Sequence, residues 1–366
     1  MTGTKGAPTA PLPGEPDPTE ISAKARYSPK RIIQATIGLV LAIVMLIWGL
    51  PHFAKTTWSS VWQVLGTVTL WQGIGFAALV IVGLYCYTFV MTGAMPGLSH
   101  PRALVMNVCG SSVSNLLPGG GAVGLAATYS IGRSWGFSNA SVTTMAIVTG
   151  VWNVLARVAL PVVAIITLSI GATNLPPVMR EAAIAGSITG IGIMAVFVGA
   201  LFSSRVARVV GHGVDVLVTQ VLRHKAEPRR YENALLGMRS RITGVVRKGW
   251  LPMTLGMAGF FGFYYILFVL CAQVTGVTLP YGQLFAAFAI GRLLTAVGIT
   301  PGGLGVTETG TAAALVAWGA DPATAMACVV LFSIYTHIME IPLGALGWLA
   351  WSIMPKADAA EIADAG

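Results

Sequence analysis

The chain has 366 residues, 55% hydrophobic and only 10% charged, whereas a soluble domain devotes roughly a quarter of its residues to charge. Its apolar runs are long enough to cross a bilayer as helix, which takes about 20 residues. They are continuous rather than alternating, which excludes both a soluble globular fold and a β-barrel. Twenty-two Lys and Arg against 13 Asp and Glu leave a net charge of +9. The basic residues flank the apolar runs, so the excess marks membrane topology and gives no reason to expect a nucleic-acid partner.

Residues 1–26 are rich in Pro, Gly and Thr and carry Glu15, Asp17 and Glu20, the composition of a disordered tail. Lys24, Arg26, Lys30 and Arg31 precede the first apolar run, Ile32 to Leu50. This run starts late and ends at Trp48-Gly49-Leu50-Pro51, which fits a retained anchor with a cytoplasmic N-terminus better than a cleaved signal peptide. Residues 53–66 are mixed in polarity, with Trp58 and Trp62 four apart, and read as an interfacial helix. A span is expected from Trp71 to Val90. The apolar stretch Ala103 to Ile131 is interrupted by Pro118, Gly119, Gly120 and Gly121. Each side of that break is too short to cross, so two short helices meeting at a Gly-rich turn, a re-entrant hairpin, are expected.

Spans follow at Thr143 to Leu168 and Ala182 to Phe202. Arg205 to Lys248 then carries ten basic residues and only Asp215, Glu227 and Glu232 as acids, the pattern of a cytoplasmic linker. The second half has a span at Leu251 to Cys271, an apolar stretch from Phe285 to Ile299, a break at Pro301, Gly302, Gly303 and Gly305, a segment from Ala312 to Trp318, and a final region from Ala325 to Ile353. The stretches Ser114 to Gly124 and Gly298 to Glu308 are alike and suggest an internal duplication. Transporters built from such repeats place broken helices near their substrate site. The expectation is an all-α polytopic membrane protein of about eight membrane segments. Its parts would be a tail (1–26), a first membrane half (27–204), a basic linker (205–249), a second half (250–354) and a polar tail (355–366).

Charged groups inside membrane segments are costly and usually face the bundle interior. Arg157, Arg292, Glu308 and Glu340 meet that description. Arg292 lies nine residues before Pro301 and Glu308 seven after it, so a chain reversal lets the two approach. Together they can form an anion site, with Arg292 as a planar donor fork and Glu308 orienting it or taking up a proton. The alternatives are a buried ion pair that fixes packing, or Glu308 capping a helix N-terminus. Asn153, Arg157 and Pro161 recur every four residues and can share the face of a kinked helix, lining the hairpin, unless Arg157 snorkels to the interface. His337 and Glu340, three apart, can relay a proton or make an internal polar contact. Arg133 either meets an anionic headgroup or marks the membrane edge at Trp135. Cys86, Cys109, Cys271 and Cys328 show no CxxC spacing, so no disulfide framework or metal site is expected. No nucleotide-binding loop GxxxxGK[ST] or hydrolytic triad stands out, and neither a cofactor nor a catalytic residue is expected.

The run from Arg292 through Thr300-Pro301-Gly302-Gly303-Leu304-Gly305-Val306-Thr307-Glu308, with the looser Asn115-Leu116-Leu117-Pro118-Gly119-Gly120-Gly121, resembles the flippase-like membrane family related to the transmembrane part of lysylphosphatidylglycerol synthase. The resemblance extends from about Lys30 to Trp351. It implies a lipid or lipid-linked-substrate translocase rather than an enzyme, because only a short tail follows Trp351 where the synthases carry an aminoacyl-transferase domain. Arg292, Pro301, Gly302, Gly303, Gly305 and Glu308 match the family motif, and Pro118, Gly119 and Gly120 its weaker first-half element. Many relatives carry a Glu-Arg pair and a following Asp after the first Gly-rich element, where this chain has Asn153 and Arg157. Many also have an Arg in the last long helix, where this chain has Tyr335 and His337. These departures put headgroup preference in doubt. The leading expectation is therefore translocation of an anionic or zwitterionic phospholipid in the cell membrane. Membrane lipids are the expected partners, and envelope-biosynthesis proteins are possible ones. The alternatives are a secondary transporter of a water-soluble solute and an accessory protein of envelope assembly; oligomeric state is left open.

Overall fold

The computed structural model describes residues 57–116, 120–170, 230–295 and 303–357, with a few single positions between 188 and 199. The expected spans at 32–50 and 182–202 and most of the basic linker lie outside the described residues. Within them every regular element is helical.

A short helix α1 (Trp58–Leu65) buries Val61 and leaves Trp62 60% exposed, with the Trp58 and Trp62 rings 6.2 Å apart. Helix α2 (Leu70–Ala94) begins at a capping box in which Gln72 Oε1 accepts from the Thr69 N–H at 2.8 Å and Thr69 Oγ1 accepts from the Gln72 N–H. Then come α3 (His100–Leu116), α4 (Gly120–Ser134) and α5 (Asn139–Ile170). The second set comprises α6 (Arg230–Thr275), α7 (Tyr281–Leu294), α8 (Val306–Ala317), α9 (Pro322–Ser333), a π-helical turn (Ile334–Ile338) and α10 (Glu340–Ile353). Helix α6 begins at Arg230, so the end of the basic stretch and the span that follows it form one continuous helix.

Four helices among the described residues are long and apolar enough to cross a membrane: Leu70–Ala94, Asn139–Leu168, Thr243–Thr275 and Pro322–Ile353. The helices between them are shorter. At 1.5 Å per residue α3, α4, α7 and α8 span about 18 to 26 Å, less than a hydrocarbon core of about 30 Å. The order long, short, short, long therefore occurs twice.

Close contacts give the relation between the two sets. Helices α2 and α6 run antiparallel, Gly83 lying on Tyr264 and Gly93 on Met253 and Gly249. Helix α3 lies antiparallel to α10, with Gly344 against Ser112 and Gly347 against Val105 and Val108. Its counterpart α7 lies antiparallel to α5, with Gly282 against Thr167 and Leu168 and with Ala286 and Ala289 in a cluster with Ala164 and Leu168. Each set thus packs its first short helix on the last long helix of the other. Small residues permit these approaches, because without a hydrophobic drive in lipid, helices associate through close van der Waals packing. Apolar side chains such as Ile81, Ile166, Leu255 and Leu349 remain exposed on the long helices, on surfaces suited to acyl chains.

Candidate functional site

Helix α7 presents Arg292 in its last turn. Its buried face is made of small residues (Ala286, Ala287, Ala289 and Gly291) around Leu284 and Phe288, so α7 can sit close to α5 and α8. A methyl group on Gly291 would lie 2.3 Å from Thr311 Oγ1 of α8. The chain then returns through a turn in which Gly303 (φ 78°) and Gly305 (φ 83°) both adopt the left-handed conformation that side chains disfavour. Helix α8 starts directly after it. Glu308, in the first turn, reaches back so that its Oε2 accepts the Gly305 N–H at 2.6 Å. The carboxylate thus satisfies one of the free N–H groups and the positive end of the helix dipole.

A small pocket opens where α7, α8, α9 and the π-helical turn converge. Its polar lining is Arg292, Thr307, Glu308, Thr311, Ser333 and His337, set among Phe268, Phe288, Val329 and Phe332. The Arg292 guanidinium lies 5.7 Å from the Phe288 ring centre and 5.2 Å from that of Phe332. Cation–π contacts of this kind contribute about 0.5 to 2 kcal/mol each and partly offset the cost of a cation at depth, about 2.5–3.5 kcal/mol on insertion scales. The buried Arg292 Nε has no hydrogen-bond partner among the described residues.

Arg292 and Glu308 do share one pocket, as the chain reversal led us to expect, but they make no direct ion pair among the described residues. Three donors already occupy the Glu308 carboxylate. Besides Gly305, Thr307 Oγ1 donates to Oε2 at 2.9 Å, and Ser333 Oγ donates to Oε1 at 2.5 Å. The capping alternative therefore describes Glu308 in part, and the Arg292 Nε–H stays unpartnered among the described residues. On the other side of Ser333, His337 Nδ1 lies 3.3 Å from Ser333 Oγ and 3.2 Å from Thr336 Oγ1.

The other singled-out residues fall at varying distances from this pocket. Glu340 opens α10, and its Oε2 accepts from Asn115 Nδ2 at 2.8 Å, tying α10 to the end of α3 beside the first Gly-rich element. Asn153 donates to the Tyr87 hydroxyl at 2.7 Å and to the Thr149 carbonyl. The Arg157 Nε, like that of Arg292, is buried without a hydrogen-bond partner among the described residues. Arg157, Glu308 and Glu340 all lie within electrostatic range of Arg292, and of these Glu308 shares its pocket. Arg133 does not join them. It sits in the last turn of α4, 13 residues and about 20 Å from Gly120. There Trp135 lies under Arg102 (5.3 Å) and Lys356 (6.0 Å), and Trp351 Nε1 donates to Ser134 Oγ. Of the breaks, Gly120 and Gly121 begin α4 and Gly303 and Gly305 shape the second turn. Pro118, Gly119, Pro301 and Gly302 lie outside the described residues.

Sequence reasoning missed Ser333, Thr307, Thr311 and the aromatic pair Phe288 and Phe332. Ser333 was within reach, since it stands four residues before His337, the spacing that brings helical side chains together. Among the described residues, no three His, Cys, Asp or Glu side chains converge as a metal site would require. The model of the lysylphosphatidylglycerol synthase TM region matches residues 35–344. No curated protein matches the chain.

Proposed function

The chain belongs to the family of the lysylphosphatidylglycerol synthase transmembrane region, and from that premise we propose that it moves a phospholipid or lipid-linked substrate with an anionic headgroup group between the two leaflets of the cell membrane, without making or breaking covalent bonds. One observation carries this reading: a half-buried arginine flanked by two aromatic rings, whose buried Nε has no hydrogen-bond partner among the described residues, beside a carboxylate in the same pocket already held by three donors. An arginine so placed offers a phosphate a charge-assisted bond and positive charge. Thr307 and Thr311 line the same pocket.

The two short-helix pairs are the natural walls of the path. As re-entrant hairpins they would bring their Gly-rich turns to mid-membrane, where Arg292, Glu308, Asn115 and Glu340 lie near them. A headgroup would pass along this polar cluster, towards Arg157 and Asn153, while its acyl chains stay in the bilayer against the exposed apolar faces. That division avoids dragging a bare charge through hydrocarbon. The N-terminus and the basic linker would lie on the cytoplasmic side by the positive-inside rule, where their charge also favours anionic lipid.

The direct test is leaflet exchange in proteoliposomes carrying labelled phosphatidylglycerol or labelled phosphatidylcholine. Protein-dependent exchange of the anionic lipid, undiminished by soluble glycerol phosphate, is the expected result. Uptake of the soluble phosphate with no lipid exchange would replace this reading with that of a solute transporter.

A further inference from the structure

The chain of contacts from Glu308 through Ser333 to His337 has a proton assignment of its own. Ser333 has one hydroxyl proton, and it is directed at Glu308 Oε1 at 2.5 Å. Thr336 has one as well, donated to the Phe332 carbonyl at 2.9 Å. Both hydroxyl oxygens also lie within bonding distance of His337 Nδ1, at 3.3 and 3.2 Å. With their protons committed elsewhere, both can only accept there, so Nδ1 carries a hydrogen. The remaining ring nitrogen, Nε2, is then the atom that gains or loses a proton.

Three further features set this chain apart from an incidental polar contact. Glu308, Ser333 and His337 are all buried, and all line the pocket that holds Arg292. The histidine stands on the π-helical turn Ile334–Ile338, closed by the Met339 N–H to the Ile334 carbonyl at 2.9 Å. Such turns are rare and gather at functional sites. Among the described residues, Arg292 on α7 shares the pocket with the relay, and Arg157 on α5, Tyr264 on α6 and Glu340 on α10 lie within electrostatic range of Arg292. Tyr335, on the same turn as His337, packs edge-to-face on Phe76 of α2.

We propose that Glu308, Ser333 and His337 form a proton-carrying relay coupled to headgroup occupancy of the Arg292 pocket, an inference that rests on the lipid-exchange reading above. A proton arriving at His337 Nε2 gives an imidazolium. The Nδ1 proton passes to Ser333 Oγ as Ser333 passes its own to Glu308 Oε1. The imidazole is left neutral with its hydrogen on Nε2, and Glu308 becomes a neutral acid. The pocket has gained one positive charge overall, so Arg292 attracts an anion more strongly. By linkage, an anion bound at Arg292 favours proton uptake by the same free energy. One proton and one anionic headgroup crossing together leave the pocket's charge unchanged.

The test uses the full chain in phosphatidylcholine vesicles with or without phosphatidylglycerol, a pH-sensitive dye trapped inside and a potassium diffusion potential imposed. Leaflet exchange is followed in parallel. Protein-dependent proton uptake that rises with phosphatidylglycerol and falls about tenfold or more in Ser333→Ala and His337→Gln, with recovery in Ser333→Thr, supports the relay. Lipid exchange without proton uptake by the unmodified protein would overturn the relay and leave the lipid reading standing. Proton uptake without exchange of any lipid would remove the lipid reading and, with it, the coupling to a headgroup that the relay proposes. Absence of both overturns the relay. Nitrogen-15 NMR of histidine-labelled unmodified protein, which does not depend on any variant folding, is expected to show an Nδ1–H for His337 at neutral pH. An unprotonated Nδ1 contradicts the assignment.

Discussion

Arg292 owes its environment to three neighbours: the rings of Phe288 and Phe332 hold the cation, and Gly291 lets α7 approach α8 closely enough to form the pocket. Lys in its place keeps the charge but loses the planar fork. Arg292→Lys is therefore expected to retain part of the anionic-lipid exchange, with a fall of about tenfold, and exchange assays on the folded variant check this. Glu308 has a structural duty that Arg292 lacks, because it caps α8 and accepts from Ser333 and Thr307. Glu308→Ala is expected to destabilise the protein by about 1 to 3 kcal/mol, read as a lowered midpoint in thermal or denaturant unfolding in detergent. Arg292→Ala, which removes no hydrogen bond among the described residues, should shift it less. Both residues were legible in the sequence because a charge inside an apolar run is conspicuous. Their separation was not, because only the fold shows that Glu308 spends its acceptors on Gly305, Thr307 and Ser333. The hydroxyl residues were silent for another reason: Ser and Thr are ordinary in membrane helices, where they usually bond to the preceding turn, as Thr311 does to Thr307.

The short helices depend on backbone approach more than on side-chain bulk. Helices α3 and α4 meet so closely that a methyl group on Gly124 would come 2.0 Å from Ser114 Oγ and 2.5 Å from the Gly110 carbonyl. Gly124→Ala is accordingly expected to cost about 1 to 3 kcal/mol by overpacking. Gly121→Ala in the same helix, where a methyl meets open space, should be near neutral or slightly stabilising, and the pair of unfolding midpoints checks the contrast. The Pro-Gly-Gly breaks announced these element pairs from sequence, because glycine runs and proline interrupt an apolar helix for known backbone reasons. The π-helical turn at Ile334–Ile338 left no such mark. Its residues suit an ordinary helix, and only the Met339 N–H bond back to the Ile334 carbonyl reveals the wider turn. The extension of α6 back to Arg230 was hidden too, since its charges signal topology while saying little about helicity.

At the scale of the molecule, each set of helices packs its first short helix on the last long helix of the other, and the antiparallel course of α2 and α6 carries a topological prediction. Helices α2 and α6 run antiparallel, so the loops at their C-terminal ends lie on opposite faces of the membrane. Single cysteines at the exposed Ser99 and Thr278 should therefore react with an impermeant maleimide from opposite sides, and labelling of both from one side would contradict the arrangement. Two similar Gly-rich stretches suggest a duplication from sequence, whereas the exchange of helices between the two sets is read only from the contacts between α3 and α10 and between α7 and α5. The fold also brings Arg157, Glu308 and Glu340, scattered along the chain, within electrostatic range of Arg292. The central claim is that this cluster serves a lipid headgroup. Its most direct test is leaflet exchange of labelled phosphatidylglycerol in proteoliposomes, comparing the unmodified protein with folded Arg292→Ala. The account predicts exchange by the unmodified protein and its loss, by about tenfold or more, in the variant. Equal exchange by the two proteins would contradict it.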